Sequence, residues 1–478
     1  MHTLGLVVWS LGAIGLITLM VVAPLTAPPT HEVTMSTMTS LGVPPAEDYH
    51  YMETVCPCRA PSQWKPATDE RDLSNLYFDQ HTGEMVNDPR HLSALAVFWG
   101  QFVDHTIVRS VEDEDQTPFI LPFDSEINMT ITRLAFRPAT RHPECREPET
   151  EMSPFLDGSA VYSDYVDPSR LDALRVSSGS CRLKTSRGFQ GEDMPPIVDN
   201  HYYCGDTRCP EHVVLTALHT LWLREHNRLC GVLETLYPSR EWTGTQRFYK
   251  ARDMVIWKQQ KITYEDWLPL VFGSQAHLLE DIDTKGTGAR MTTEFATAAY
   301  RWHSMVPNQV GPWPLINLFF NPTLLQTQGV TSVLQHAYHE PASRADLKVV
   351  DGLRNTLFGM FGMDLMARNL VRAREVGIGS YAQLCACYNV ATQHQFEDPL
   401  LGMLAEPLEP GSSLPRLMAH ICAEQFKRIR VHDDNFWSTQ LPHMKPEIRA
   451  EILNTNLATL LKMHANVNIP ANKNAFLL

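Results

Sequence analysis

The chain has 478 residues, 44% hydrophobic and 20% charged, which is enough apolar material for a sizeable core and excludes wholesale disorder. A net charge of −14 with no dense Lys/Arg run argues against a nucleic-acid partner. Neither an HExxH nor a GxSxG pattern occurs, so the commonest zinc- and serine-hydrolase chemistries are set aside.

The first 31 residues carry no Asp, Glu, Lys or Arg, and Leu4 to Leu25 is an apolar run broken by Ser10, Thr18 and Pro24. Residues 1–27 are therefore expected to meet a membrane, as a signal peptide or as a signal anchor. A Pro/Thr/Ser-rich stretch over 28–70 reads as a tether, followed by a body over 71–478. Ten cysteines behind such a leader, and the sequon Asn128-Met129-Thr130, fit the secretory pathway: disulfides, glycan, and a secreted or membrane-tethered domain on the luminal or extracellular side. No CxxC pair occurs, so a structural zinc is not expected. Helical spacing of apolar residues predicts helices over 89–107, 210–236, 246–262, 292–305, 346–375 and 446–463. Strand alternation is sparse and no internal repeat is found. The expected fold class is mainly α, one large helical domain with few short strands.

Polar residues stand out within these apolar helices. In Phe98-Trp99-Gly100-Gln101-Phe102-Val103-Asp104-His105-Thr106, the three polar side chains Gln101, Asp104 and His105 share one face. Seen alone, this is as well explained by a helix end with satisfied core polar groups. Gly205-Asp206-Thr207-Arg208-Cys209-Pro210-Glu211 precedes a long helix, and Pro210 in its first turn sets Arg208 and Glu211 at the mouth. The plain alternative is a surface ion pair. In Tyr300-Arg301-Trp302-His303, Tyr300 and His303 fall three apart on a predicted helix, where an imidazole can ligate a metal or serve as a core hydrogen-bonding group. Asn369 and Arg372 form a further one-face pair.

Taken in this order, the segments resemble the animal haem peroxidases and their relatives, the cyclooxygenases and fatty-acid dioxygenases, over roughly residues 85–430. The resemblance implies haem b as cofactor, with His105 as distal acid/base, Gln101 its companion and Arg208 the catalytic arginine. It makes Asp104 and Glu211 the carboxylates that become ester-linked to haem. His303 matches the proximal iron ligand, Asn369 its hydrogen-bond partner and Arg372 a propionate partner, while Leu223-Arg224-Glu225-His226-Asn227-Arg228 matches a structural segment. Chemistry needs these types: a neutral imidazole to move the peroxide proton, a guanidinium for charge developing at the O–O bond, and an amide to orient the proximal ring. A family calcium loop is matched by Ser153, Phe155, Asp157 and Ser159, with Thr106 standing where a carboxylate usually completes the site, so weaker calcium binding is expected.

Two further departures affect the functional reading. Tyr300-Arg301-Trp302-His303 has the cyclooxygenase spacing, in which the tyrosine becomes a hydrogen-abstracting radical, and His212 replaces a methionine that some relatives bond to haem. The expected activity is reduction of hydrogen peroxide or organic hydroperoxides coupled to oxidation of a halide, thiocyanate or phenolic donor. Its alternatives are a fatty-acid dioxygenase using Tyr300, and a non-catalytic adhesion or scaffold protein that keeps the fold.

Overall fold

The computed structural model describes residues 47–59, 69–82, 85–139, 142–163, 167–279, 288–470 and 473–478. The apolar segment over 1–27 lies outside these residues. Among the described residues, no helix is long and apolar enough to cross a membrane.

Six helices organise the body: α1 (Ala94–Ile107), α2 (Val213–Leu236), α3 (Gly244–Lys261), α4 (Pro322–His339), α5 (Leu365–Val376) and α6 (Arg416–His432). α2 is buried over most of its circumference because α1, α3 and α4 all pack on it. Local chemistry sets the ends. A reciprocal Thr243/Gln246 capping box opens α3. Asp364 accepts from the Met366 and Ala367 N–H groups to open α5, and Gly377 closes α5 in the left-handed region. The strands are short and pair two by two, for example Phe119–Pro122 antiparallel to Asn128–Ile131. The mainly α single domain is as expected.

The body reaches further toward the N-terminus than residue 71. Met52 and Cys56 are buried, Glu53 bridges to Thr292, and the disulfides Cys56–Cys387 and Cys58–Cys145 bind this strap to distant segments. Cys181–Cys230 and Cys204–Cys209 complete the disulfides, while Cys385 and Cys422 are free and buried.

Helix boundaries differ from the sequence expectation where backbone chemistry intervenes. The 292–305 region is a π turn (Phe295–Ala299) running through irregular Tyr300–Trp302 into a 3-10 turn (His303–Met305), so His303 is not carried on a rigid helix. Of 346–375 only Asp351–Arg354 and α5 are α-helical, separated by a 3-10 turn (Leu357–Gly359) and by Phe358, Gly359 and Gly362 at positive φ. The 446–463 stretch is two helices, the second restarted by an Asn456 cap. α4 and α6 were not expected. α4 has Pro322 at its start and a break at Gly329, both of which interrupt periodicity.

Glu225 shows why the Leu223–Arg228 segment is structural. Its buried carboxylate accepts from Lys258, Arg228 and His464 at 2.5, 2.8 and 2.7 Å, which ties α2 to α3 and the C-terminal helix. His226 is equally committed, to the Tyr162 hydroxyl and the Cys181 carbonyl, both at 2.8 Å.

Candidate active site

α1 and the loop before α2 form one wall of a cavity with about 1080 Å³ of space free of protein atoms, part of it open to solvent. Gln101, Asp104, His105, Arg208 and Glu211 all line it, together with Tyr300, Arg301 and His303. The loop over 204–211 is closed by the Cys204–Cys209 disulfide. It lies so near the backbone that a Cβ on Gly205 would fall 2.4 Å from the Val161 carbonyl carbon, so only glycine fits.

On this wall the charges are coupled through Asp206, a residue the sequence reading quoted without assigning it a role. Buried Asp206 accepts from the Arg208 backbone N–H, Nε and Nη2 at 2.7, 3.0 and 2.8 Å. Burial alone would raise its pKa, but the Arg208 guanidinium and nearby His105 hold it well below the usual carboxylate range. Arg208 also donates to the backbone carbonyls of Val108 and His105, both at 3.0 Å, which fixes its plane. His105 Nδ1 lies 3.7 Å from Asp206 Oδ1 with no hydrogen bond, and its Nε2 lies 3.8 Å from Glu211 Oε2. Burial, helped by Arg208, pushes the His105 pKa well down, so the imidazole is neutral. Gln101 donates to Glu211 Oε2 at 3.4 Å. Burial lifts Glu211 to about 7 against the pull of Arg208, and burial raises Asp104 against Arg301.

The 300–303 segment brings a neutral imidazole and one guanidinium to the cavity. His303 is pushed down to about 3 by burial and then by Arg301. Its Nδ1 lies 3.0 Å from the Asn369 amide, with Nδ2 turned toward the ring. The two amide orientations differ by a half turn, and the one presenting Oδ1 puts the proton on Nδ1 and frees Nε2 as a ligand. Tyr300 donates to the Gly100 carbonyl at 3.1 Å and stacks near Trp302 and Phe295. Arg301, also without a role from the sequence, lines the cavity with Asp104 as its principal electrostatic partner. Its position two residues before His303 was the available signal.

Arg372 is not brought to the cavity lining. It donates to Glu375 at 2.8 Å, Glu112 at 2.7 Å and the Thr132 carbonyl at 2.6 Å. Glu375 is fully buried and also accepts from the Leu134 N–H, which accounts for a carboxylate at that position. His212, buried and stacked on Phe98, accepts from the Val214 N–H at Nδ1 and keeps its proton on an unpartnered Nε2.

In the 153–159 loop the oxygens are satisfied within the protein. Asp157 accepts from Ser153 Oγ at 2.6 Å and the Ser159 N–H at 2.9 Å, and Ser159 Oγ donates to the Thr106 carbonyl at 3.2 Å. The Thr106 hydroxyl turns back to the Phe102 carbonyl, and the Phe155 carbonyl accepts from the Asp157 N–H.

The animal haem peroxidase family profile matches residues 50–400, most of the chain. The chain belongs to this family. Among its relatives is Peroxinectin A of Dictyostelium discoideum, 28% identical, with 82% of this chain and 84% of that protein covered. Other relatives are longer, and this chain spans 63% or less of several of them. Peroxidase A from Dictyostelium discoideum has the same fold, with TM-score 0.76 at 24% identity, covering 90% of this chain and 96% of that one. A fatty acid alpha-dioxygenase of Arabidopsis thaliana shares the fold as well, with TM-score 0.71 at 16% identity over 88% of this chain and 81% of that one, so fold alone does not separate the two chemistries. Sequence does, because the family profile is that of the animal haem peroxidases and the relatives include an eosinophil peroxidase of Mus musculus, 28% identical. Family membership assigns the chain a haem-dependent peroxidase function, an oxidoreductase, in preference to the dioxygenase and scaffold readings.

Proposed function

We propose that the cavity holds haem b between His105 and His303, and that the chain reduces hydrogen peroxide or an organic hydroperoxide while oxidising a halide, thiocyanate or phenolic donor. The carrying observation is that two neutral imidazoles from separate segments line one cavity, the first with an orphaned Nδ1 and the second oriented by Asn369. Such a donor set fits an iron porphyrin: one nitrogen ligand on a buried wall and an acid/base group facing the open side. Haem supplies the redox chemistry when bound.

The residues then divide the work. Neutral His105 accepts the proton from one peroxide oxygen at Nε2 and returns it to the departing oxygen. While it carries that proton, the Asp206 carboxylate 3.7 Å from Nδ1 stabilises the imidazolium. Arg208, fixed by Asp206 and two carbonyls, offsets charge developing on the departing oxygen in a site that screens little. Gln101 orients Glu211. Asn369 holds the His303 ring, and Arg301 is the cavity guanidinium available to a carboxylate of the cofactor, whereas Arg372 acts through its acidic partners.

Asp104 and Glu211, both in the cavity lining, are the proposed ester-forming carboxylates. A calcium ion at Asp157, with Ser153, Phe155, Ser159 and Thr106 supplying oxygens, is supported by their convergence and would replace the internal hydrogen bonds there. Residues 1–27 are proposed to bring the domain to a membrane or through it. Asn128 is exposed, as a glycan acceptor must be.

The test is spectroscopic. Purified full-length chain should show a Soret band and oxidise iodide or guaiacol with hydrogen peroxide, and acidic acetone should leave the haem on the protein if the esters form. Folded chain without a Soret band after haem supply would sink the proposal.

A further inference from the structure

Two short segments close the cavity on one side and continue onto the surface. Leu315 and Phe319 from the first, and Leu357 and Phe358 from the second, line the interior. Their chain neighbours face solvent: Ile316 is 41% exposed, Phe320 39%, Met360 51% and Phe361 64%. The Phe358 ring lies 5.7 Å from Phe319 and 5.4 Å from Phe320, so apolar contact runs from the cavity wall to the outer rim. Phe361 packs edge-on against Phe123 at 5.4 Å, which leaves most of its ring outside. The backbone is strained where this happens, with Phe320 at φ 43° and Phe358 at φ 58°, a region bulky residues rarely adopt. Beside Phe320 stands the hairpin of Ile197–Val198 and His201–Tyr202, its two aliphatic residues also exposed.

An exposed aromatic rim is unfavourable in water, and so is a left-handed phenylalanine. Both features on one rim that continues into the active cavity mark an interaction surface, not a packing remnant. The occupant follows from the rest of the chain. Residues 26–46 link the apolar run Leu4–Leu25 to the first described residue, and fully extended they reach at most about 75 Å, more than the diameter of a body with a radius of gyration of about 22 Å. A retained anchor therefore confines the body to the neighbourhood of one bilayer, on a link long enough for the rim to reach it.

We propose that this rim docks on a lipid surface and that the cavity takes acyl-chain hydroperoxides from it. The inference rests on the peroxidase reading of the cavity and names its substrate class. In the reaction the O–O bond of the lipid hydroperoxide breaks, one oxygen staying on the acyl chain as an alcohol and the other leaving as water. Two phenol molecules each give up one electron and one proton.

The experiment uses full-length, haem-loaded chain in phosphatidylcholine vesicles, with a fluorophore attached through Phe361→Cys; the native free cysteines are buried and do not compete. Doxyl groups on the acyl chains should quench this probe and leave one attached through Met463→Cys, on the last helix, unaffected. With guaiacol as donor, M360S/F361S should lower kcat/KM for phosphatidylcholine hydroperoxide by about tenfold or more and leave that for hydrogen peroxide unchanged. An unquenched probe at 361, whether free, covered by the N-terminal segment or shielded by a second copy, overturns the docking surface. A double variant that turns over both peroxides like the parent, or loses both alike, overturns the substrate class. Absence of hydrogen peroxide turnover in the parent overturns the peroxidase reading instead, and the quenching arm then decides the surface by itself.

Discussion

The two walls of the cavity are built on opposite principles. The wall from α1 and the 204–211 loop concentrates ionisable groups, with Asp206 joining His105 to Arg208 and Glu211 lifted to about 7. The wall from 300–303 and α5 has one neutral imidazole, carried on backbone that is neither α-helix nor strand and held by one amide from α5, with Arg301 as its one charged group. Moving a proton needs groups whose pKa values depend on one another, and that requires rigid, close placement. Holding a ligand needs a single lone pair at the right place, and irregular backbone braced by tertiary contacts provides it. In the 153–159 loop, by contrast, the side-chain oxygens of Ser153, Asp157 and Ser159 are taken up by hydrogen bonds within the protein.

The most severe way to break this comparison is to remove each imidazole in turn. His303→Ala should lose the parent Soret spectrum altogether, whereas His105→Ala should keep haem and lose about 10²- to 10⁴-fold in the rate of reaction with peroxide. Absorbance titration with haem and stopped-flow mixing measure the two effects, and equal loss of haem from both variants would erase the distinction between the walls. Next in size is Asp206→Asn, which leaves the Arg208 guanidinium buried beside a neutral amide. Denaturant titration should show a loss of about 3–5 kcal/mol, with the peroxide rate falling about 10- to 100-fold while haem loading stays complete. An unchanged peroxide rate would mean that Asp206 is only structural.

The smallest effect probes what braces the neutral wall. Glu294, just ahead of the π turn, accepts from the Val55 and Cys56 N–H groups at 3.1 and 2.8 Å and is pushed up to about 7 by burial. Its folded pKa exceeds the ordinary 4.5, so between those values the folded chain holds a proton that the unfolded chain has lost. This contribution is fully present below about pH 4.5 and is lost as pH rises through about 7. Relative to Glu294→Gln, the parent should therefore lose on the order of 2 kcal/mol between about pH 5 and pH 8, read from denaturation midpoints. A difference that is flat with pH would place the charge elsewhere.

Much of the charged wall was legible from residue order alone. Gln101, Asp104 and His105 sit on one continuous helix, where spacing by three and four dictates a shared face, and Arg208 and Glu211 flank a proline that begins a turn. The neutral wall was legible only as residue identities. Tyr300 and His303 look helical by spacing, yet the chain leaves the helix at Ala299, because long-range packing overrides local propensity there. For Arg372 spacing gave the helix, α5, but not its ion pairs with Glu112 and Glu375, one distant and one near in sequence.

By itself, then, the amino-acid order determined the helical class, the family motifs and which types of side chain are present, since those depend on periodicity and on neighbours along the chain. Tertiary structure alone decided that Asp206 couples His105 to Arg208, that Arg301 joins Arg208 in lining the cavity, and that an apolar rim continues from that cavity. Each of these is a relation in space between separate segments, or between a side chain and solvent, and electrostatic coupling and burial act over ångströms whatever the separation along the chain.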